Sequence, residues 1–307
     1  MRGWPSPAAS PRSVESSEHS GARLHGLPTA ATRVVGTIGH PVSHSLSPLL
    51  HQTAFDALGI DWVSVGFPAL PGQAATAVGG AVALGIAGLS VTMPHKHDAA
   101  HAVDELSPLA GRLDAVNCVE IRGGRTIGHS TDGRGLLEAL HRGAGVVPDG
   151  MRCAVIGAGG AARAAAAALA DAGAGEVVVV NRTASRAEEA ALLAGDVGRR
   201  GTPDDVARAQ LVVHATPYGM SGSGSVLSFA QGAGGLETWF RPGQVVMDLV
   251  YVPAVTPVLE AAASAGATTV GGIGMLVHQA AVQIEIWTDL EAPVEAMWQA
   301  VTPEPGP

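Results

Sequence analysis

Short apolar runs alternate with longer amphipathic runs along nearly the whole chain beyond residue 32. Buried strands are indicated by runs such as "RVVGTIG", "AGLSVTM" and "EVVVV", and helices by runs such as "SPLLHQTAFDALG" and "AARAAAAALADAG". Consecutive strands separated by helices pair in parallel, because each helix carries the chain back across the sheet. The alternation therefore predicts an α/β fold built on parallel sheets.

The 307 residues are long for one compact unit and sufficient for two domains. A first block of strands and helices runs to about Gly133, and a second block begins at the strand "RCAVIG". The final helices, "GMLVHQAAVQIEIWTDL" and "VEAMWQAV", could join either domain on periodicity alone. Residues 1–32 are rich in Pro, Ser and Ala without periodicity, which predicts a disordered tail.

The composition limits the kinds of partner. A formal net charge of −9 argues against nucleic acid or an anionic membrane. No stretch is apolar over the length needed to span a bilayer. Cys118 and Cys153 lie in apolar strand-like contexts, which favours buried, reduced thiols. These features predict a cytoplasmic protein.

The segment "VIGAGGAAR" is the clearest local signal for a ligand. It has a G-x-G-x-x-A pattern directly after a strand and at the start of a helix. The first glycine permits a tight turn, and the second lets the backbone approach a pyrophosphate at the positive helix N-terminus. In this strand–helix–strand context we predict a dinucleotide site. Its loop residues are Gly157, Ala158, Gly159, Gly160 and Ala161.

The next strand ends in "NRTASR", which bears on the choice of dinucleotide. An acidic residue at such a position holds the ribose 2′-hydroxyl of NAD. This chain instead has Asn181, Arg182 and Thr183, followed by Ser185 and Arg186. Guanidinium and hydroxyl groups suit a 2′-phosphate, so NADP is favoured over NAD. The alternative is a helix cap with solvated arginines.

A second group of polar residues lies in the first block. Ser43, Ser45 and Ser47 surround a helix start, where free N–H groups and hydroxyls make an anion site, although Ser47 could equally be a simple N-cap. Thr92 and Lys96 follow a strand, Asn117 begins one, and Asp132 lies between a strand and a helix. The carboxyl ends of strands are where α/β sheets bind ligands.

Lys96 and Asp132 are the acid–base candidates of this second group. Lys96 is the only lysine, since every other basic residue is an arginine. Arginine does not lose its proton in a protein, whereas an ammonium group can donate and regain one. A nearby carboxylate would orient the lysine.

Three histidines, His95, His97 and His101, surround this lysine. His97 and His101 are one helical turn apart, which is compatible with metal binding. The sequence shows no third ligand at a matching spacing. We therefore expect solvated helix histidines and no metal site.

Taken in order, these motifs resemble those of the shikimate dehydrogenase family, from about Val34 to the C-terminal helices. The matching segments are "GHPVSHSLSP", "VTMPHK", "AVNC", "TDG", the glycine loop, "NRTASR", "ATPYGM", "DLVY" and "GGIGMLVHQAA". The resemblance implies NADPH-dependent, reversible reduction of the C3 carbonyl of 3-dehydroshikimate. It also implies a substrate-binding domain of residues 33–133 with 274–303, and a Rossmann-like NADP domain of residues 134–273, with the cleft between them.

The resemblance also implies roles for individual residues. Lys96 would be catalytic, with Asp132 paired to it. The substrate contacts would be Ser45, Ser47, Thr92, Asn117, Tyr251 and Gln279. Leu249 and Gly272 would lie beside the cofactor, in addition to the residues of the glycine loop and "NRTASR".

The chain departs from the usual family pattern at Ser90, His95, His129 and Ser130, all of which flank the implied site. Quinate or an aminated shikimate is an alternative substrate, although Ser47, rather than threonine, favours shikimate. A non-catalytic NADP-binding sensor is an alternative of another class, and the intact Lys96 and Asp132 argue against it. The resemblance leaves open whether the protein is a monomer or a homodimer.

Overall fold

The computed structural model describes residues 27–220 and 236–302. Most of the predicted disordered tail, residues 1–26, lies outside the described residues. Residues 29–32 form a turn in which the Thr29 N–H bonds to the Thr32 hydroxyl at 2.7 Å, and the Thr32 hydroxyl donates to Asp61 at 2.8 Å. The chain is thus held against the first sheet slightly before the predicted boundary at residue 33.

The described residues form two sheets. The strands are β1 (Arg33–Gly39), β2 (Trp62–Pro68), β3 (Gly88–Val91), β4 (Glu105–Leu106), β5 (Cys118–Arg122), β6 (Arg125–His129), β7 (Arg152–Ile156), β8 (Glu176–Val180), β9 (Gly198–Arg200), β10 (Leu211–His214), β11 (Val245–Asp248) and β12 (Thr268–Val270). The first sheet has the order β2-β1-β3-β5-β6-β4, and the second has the order β12-β11-β10-β7-β8-β9.

Helices connect these strands. They are α1 (Ser47–Leu58), α2 (Ala74–Ala83), α3 (Lys96–Ala100), α4 (Pro108–Leu113), α5 (Asp132–Ala144), α6 (Gly160–Asp171), α7 (Ala184–Leu192), α8 (Pro203–Arg208), α9 (Pro257–Ser264), α10 (Ile273–Thr288) and α11 (Val294–Val301), with short 3-10 turns at Gly195–Val197 and Leu236–Trp239. The predicted α/β class is confirmed. Among the described residues, no helix combines the length and apolar character that a membrane span requires.

The second sheet is entirely parallel, as the alternation predicts. Its strand order is that of a doubly wound sheet, and the order reverses between β7 and β10. A crevice forms beyond the carboxyl ends of the strands at this reversal. The glycine loop follows β7 and therefore lies at the crevice.

The first sheet is mixed, so the prediction of a parallel sheet is wrong for one strand. β5 is antiparallel to both β3 and β6. No helix separates β5 from β6; Gly123 and Gly124, with φ of 58° and 82°, join them instead. Two successive positive φ values produce a tight hairpin turn, which forces antiparallel pairing.

The pattern of the segment "HKHDAAHAVDEL" predicts one helix, but only α3 is helical. The Asp104 N–H donates to the Thr126 hydroxyl at 2.8 Å, and the Thr126 N–H donates to the Asp104 carboxylate at 2.8 Å. This reciprocal pair aligns Glu105–Leu106 with β6 as an edge strand. The short elements α4, α8, β9 and β12 carry too few residues for periodicity to reveal them.

Two long helices, α5 and α10, pack against each other and connect the sheets. They cross closely at Gly135, where an added Cβ would lie 2.8 Å from the backbone nitrogen of Gln279. Trp287 near the end of α10 donates to the carbonyl of Val119 in β5 at 3.1 Å, and Leu136 of α5 packs in the core of the second sheet. We propose domains of residues 33–133 with 274–303 and residues 134–273, because α10 and α11 pack on the first sheet.

Candidate active site

The two predicted sites face each other. Lys96, the first residue of α3, lies against Gly160, the first residue of α6. A Cβ added at Gly160 would be 3.4 Å from Cδ of the lysine. The glycine loop and the lysine therefore line a single cleft between the two sheets.

Lys96 and Asp132 form a hydrogen-bonded ion pair across the first block. The lysine side chain is 19% exposed and the aspartate side chain 6%, so the pair is largely shielded from solvent. The backbone carbonyl of Lys96 accepts from Val116 N–H at 2.8 Å, which fixes the start of α3. An ammonium group has three hydrogens, and the bond to Asp132 leaves two of them for a ligand.

Asn117 is the hub that connects this pair to its surroundings. Its Nδ2 lies 2.8 Å from Oδ1 of Asp132, 2.9 Å from the Thr131 hydroxyl and 3.2 Å from Oε1 of Gln279. Its Oδ1 accepts from Thr131 N–H at 2.7 Å. Each Asp132 oxygen thus has a different partner, so the carboxylate is held in one orientation.

Asn117 reaches this position by an unexpected route. It was placed among residues at the carboxyl ends of strands, but it immediately precedes the amino end of β5. Because β5 is antiparallel to β3, its amino end lies at the same sheet edge as the carboxyl end of β3. Asn117 therefore lies at the same sheet edge as Thr92 and Lys96, as predicted, because β5 runs antiparallel to β3.

A buried polar chain continues from this hub into the first sheet; it comprises Lys96, Asp132, Asn117, Gln279, Gln283, His51 and Ser64. Gln283 Nε2 donates to Oε1 of Gln279 and to the carbonyl of Asn117, both at 3.0 Å. Its Oε1 accepts from His51 Nε2 at 3.0 Å, and His51 Nδ1 lies 3.1 Å from the Ser64 hydroxyl. Burial lowers the pKa of His51 to about 4.

Gln283 and His51 were missed by the sequence analysis. Gln283 lies one helical turn after Gln279 on a largely apolar helix, so a second glutamine at i+4 was a usable signal. Gln279 donates through Nε2 to the Leu276 carbonyl at 2.9 Å. Its amide is therefore fixed at both ends, with one Nε2 hydrogen remaining.

The predicted anion site lies at the start of α1. The N-cap is Leu46 with no side-chain capping bond, so the interpretation of Ser47 as a simple N-cap is wrong. The Ser47 N–H donates to the Ser45 hydroxyl at 3.3 Å. Tyr251, a residue of the second block, lies near the backbone N–H of Leu46, and burial raises the pKa of this tyrosine. Thr92, half-buried, follows β3 next to the same edge.

Of the four departures from the family pattern, two are imidazoles that bind protein groups. The expectation of a solvated histidine is wrong for His95, which is fully buried and whose Nε2 bonds the carbonyl of Ala69 at 2.8 Å. His129 pairs with Glu120 at 3.0 Å. Ser90 is buried within β3 and Ser130 is half-buried before α5.

The glycine loop has the geometry that a phosphate site requires. Gly157 has φ of 123°, and an added Cβ would be 2.8 Å from the Ala215 carbonyl oxygen, so only glycine fits the turn. Gly159 is the N-cap of α6, has no side-chain capping bond and faces open space. The first N–H groups of α6 are therefore free to bind an anion. Ala158 and Ala161 complete the loop.

Two exposed arginines follow the carboxyl end of β8. Arg182 and Arg186 are exposed, and neither side chain has an ion pair or hydrogen bond with the described part of the chain. Thr183 is the N-cap of α7 but makes no side-chain capping bond, which disfavours the helix-cap alternative. Asn181 Nδ2 donates to the Thr183 carbonyl at 3.1 Å and shapes the turn. This surface suits a 2′-phosphate.

The loops after β10 and β11 are joined by a buried pair that the sequence analysis also missed. His214 Nδ1 lies 2.8 Å from the Asp248 carboxylate, and both residues are fully buried. Asp248 also accepts from Thr256 and from Val250 N–H, at 2.5 and 3.0 Å. The loop after β11 contains Leu249, whose carbonyl oxygen would be 2.5 Å from a Cβ at Gly272.

Comparison with known proteins is consistent with this geometry. Residues 37–119 match the family model "Shikimate dehydrogenase substrate binding domain", residues 146–210 match "Shikimate / quinate 5-dehydrogenase", and residues 272–302 match "Shikimate 5'-dehydrogenase C-terminal domain". A shikimate dehydrogenase (NADP(+)) of Methanopyrus kandleri is 43% identical over 89% of this chain and 96% of its own length.

Solved structures give the same result. A crystal structure of shikimate dehydrogenase in complex with NADP+ superimposes with a TM-score of 0.82 at 37% identity, over 90% of this chain and 97% of that one. The Thermus thermophilus shikimate 5-dehydrogenase in complex with NADP(H) and shikimate gives 0.78 at 33% identity, over 88% and 98%. The predicted resemblance is confirmed, and the chain belongs to the shikimate dehydrogenase family.

Proposed function

We propose that this protein catalyses the reversible NADPH-dependent reduction of 3-dehydroshikimate to shikimate. The observation that carries the proposal is the position of Lys96, which is paired with Asp132 and packed against the glycine loop at Gly160. A proton donor and a dinucleotide-type loop thus share one cleft. The family membership and the NADP-dependent relatives support the choice of substrate and cofactor.

The cofactor would be held by this chain's own groups. The uncapped N-terminus of α6 binds the pyrophosphate, and Arg182 and Arg186 bind the 2′-phosphate. Leu249 and Gly272, whose backbones are in close contact, would lie beside the cofactor. When bound, NADPH supplies the hydride for the ketone carbon.

The remaining residues orient the ring and manage the proton. Lys96 donates a proton to the oxygen that becomes the new hydroxyl, and Asp132 holds its ammonium group in place. Ser45, Ser47 and Tyr251 bind the carboxylate end near the start of α1, while Thr92, Asn117 and Gln279 contact ring hydroxyls. Hydroxyl and amide donors fix a polyhydroxy acid without consuming the ammonium group in a salt bridge.

NADPH oxidation with 3-dehydroshikimate tests the proposal. Lys96→Ala and Lys96→Arg should each lower kcat by about 10²- to 10⁴-fold, because neither side chain can deliver the proton. Circular dichroism and NADP+ affinity should stay close to wild type. Arg125→Ala is the matched control: Arg125 is an exposed cation on the β5–β6 hairpin, paired with Glu105. Near-wild-type turnover of Lys96→Arg would refute proton donation by Lys96.

The same assay separates the alternatives. A quinate enzyme would show a higher kcat/KM for quinate than for shikimate in the oxidative direction. An NADP-binding sensor would bind NADP+ without turnover of either acid. We also propose that the enzyme acts in the cytoplasm, which the reduced, buried Cys118 and Cys153 support. We further propose that it is a monomer or a homodimer, and light scattering after gel filtration would test this oligomeric state.

A further inference from the structure

His97 of α3, His101 directly after this helix and Asp114 directly after α4 converge at the protein surface. His97 Nδ1 lies 3.1 Å from Oδ2 of Asp114, and His101 Nε2 lies 3.1 Å from Oδ1 of the same residue. One ligand atom from each residue lies within 4.8 Å of the other two. The sequence showed only the histidine pair, and the spacing did not reveal that the Asp114 carboxylate lies beside it.

The backbone explains this convergence. Asp114 ends α4 in a left-handed conformation with φ of 49°, and its N–H bonds back to the last turn of the helix. Val116 N–H then donates to the Lys96 carbonyl at 2.8 Å, which ties this turn to the start of α3. This turn places the Asp114 carboxylate against the imidazoles of both His97 and His101.

The donor set determines what could bind. Two imidazole nitrogens and a carboxylate oxygen suit a borderline divalent ion such as Zn²⁺, whereas Mg²⁺ and Ca²⁺ prefer oxygen ligands. With Zn–N and Zn–O bonds of about 2.0–2.2 Å, tetrahedral geometry requires ligand atoms about 3.3–3.6 Å apart. The side chains of His97, His101 and Asp114 are 64%, 63% and 44% exposed, so small rotations can close the remaining gap.

We propose that His97, His101 and Asp114 bind one zinc-type divalent ion, with water completing its coordination. The site is separate from the reaction centre, because its three side chains are exposed to solvent, whereas the Lys96–Asp132 pair is shielded. The ion clamps α3 to the turn that leads to Asn117. Binding therefore stabilises the segments that carry two residues of the proposed active site, without taking part in proton transfer.

The test uses full-length, tag-free protein stripped with a chelator. Zn²⁺ is titrated against a chromophoric competitor, and the melting temperature is recorded with and without Zn²⁺. We expect one equivalent to bind and the melting temperature to rise, because an ion that binds only the folded state stabilises it. Mg²⁺ at the same concentration should cause no shift.

Three variants locate the ion. His97→Ala, His101→Ala and Asp114→Asn should each weaken Zn²⁺ binding by at least about tenfold. Asparagine also tolerates the left-handed conformation, so Asp114→Asn keeps the turn while removing the charge. His141→Ala, which removes an exposed histidine on α5, is the matched control and should bind Zn²⁺ like wild type. Absent Zn²⁺ binding in wild type, or undiminished binding in the three variants, would overturn the proposal; neither readout depends on turnover.

Discussion

Acidification should destabilise this protein through His51, the buried imidazole near the end of the polar chain. Its Nε2 bonds Oε1 of Gln283, which can only accept, so that nitrogen carries the proton of a neutral ring. Its Nδ1 can then accept from the Ser64 hydroxyl, and Trp287 packs edge-on at 5.0 Å. The neutral ring is fully satisfied, and burial opposes its protonation.

The size of the effect follows from the two pKa values. Burial lowers the pKa of His51 from 6.5 to about 4. A lowered pKa contributes stability that is complete above pH 6.5 and is lost as the pH falls towards 4, because the unfolded chain takes up the proton first. At about pH 4.5 the ring is almost fully protonated in the unfolded chain and mostly neutral in the folded one. The loss amounts to roughly 2–3 kcal/mol.

Urea unfolding followed by tryptophan fluorescence, at about pH 7 and about pH 4.5, measures this loss. Wild type should lose roughly 2–3 kcal/mol more than His51→Gln between the two conditions, because glutamine cannot titrate. His141→Gln, which replaces an exposed histidine, should behave like wild type. Equal losses in wild type and His51→Gln would show that the folded protein does not hold His51 neutral.

Three further substitutions test the cleft. Gly157→Ala places a methyl group 2.8 Å from the Ala215 carbonyl oxygen, so the Kd of NADP+, measured by fluorescence titration, should rise roughly tenfold or more. Arg182→Glu should weaken NADP+ binding about ten- to a hundredfold but leave NAD+ binding nearly unchanged; equal effects on both would contradict the 2′-phosphate assignment. Gln283→Met removes a donor to Gln279 and an acceptor from the buried polar chain, at a cost of about 1–3 kcal/mol. It should lower the melting temperature and raise the KM of shikimate more than that of NADP+; the opposite ranking would contradict a positioning role.

The buried polar residues show where sequence reasoning reached its limit. Lys96 and Asp132 are acid–base candidates in the sequence because each follows the end of a strand, and the family resemblance implies that they pair. His214 and Asp248 also end neighbouring strands, yet each looked like an isolated polar residue within an apolar run. Their pairing depends on β10 and β11 being adjacent and in register, with His214 opposite Asp248. Sheet order and register are not encoded in local periodicity.

The Asp114 cluster shows the same limit at shorter range. The i,i+4 relation of His97 and His101 is visible in the sequence, because it depends only on the helical repeat. The approach of Asp114 depends on how α4 turns back, and α4 is too short to be recognised by its pattern.

The sequence by itself determined the α/β class, the glycine loop, the cationic end of β8 and the need for a lysine at position 96, because these depend on local repeat, backbone freedom and side-chain chemistry. It also carried the family resemblance, which the comparisons confirmed. Only the tertiary structure decided what meets across the cleft. Lys96 lies against Gly160 and Tyr251 lies near the backbone of Leu46, and the packed helices α5 and α10 connect the two sheets. Such contacts join residues far apart in the chain, and packing rather than local pattern determines them.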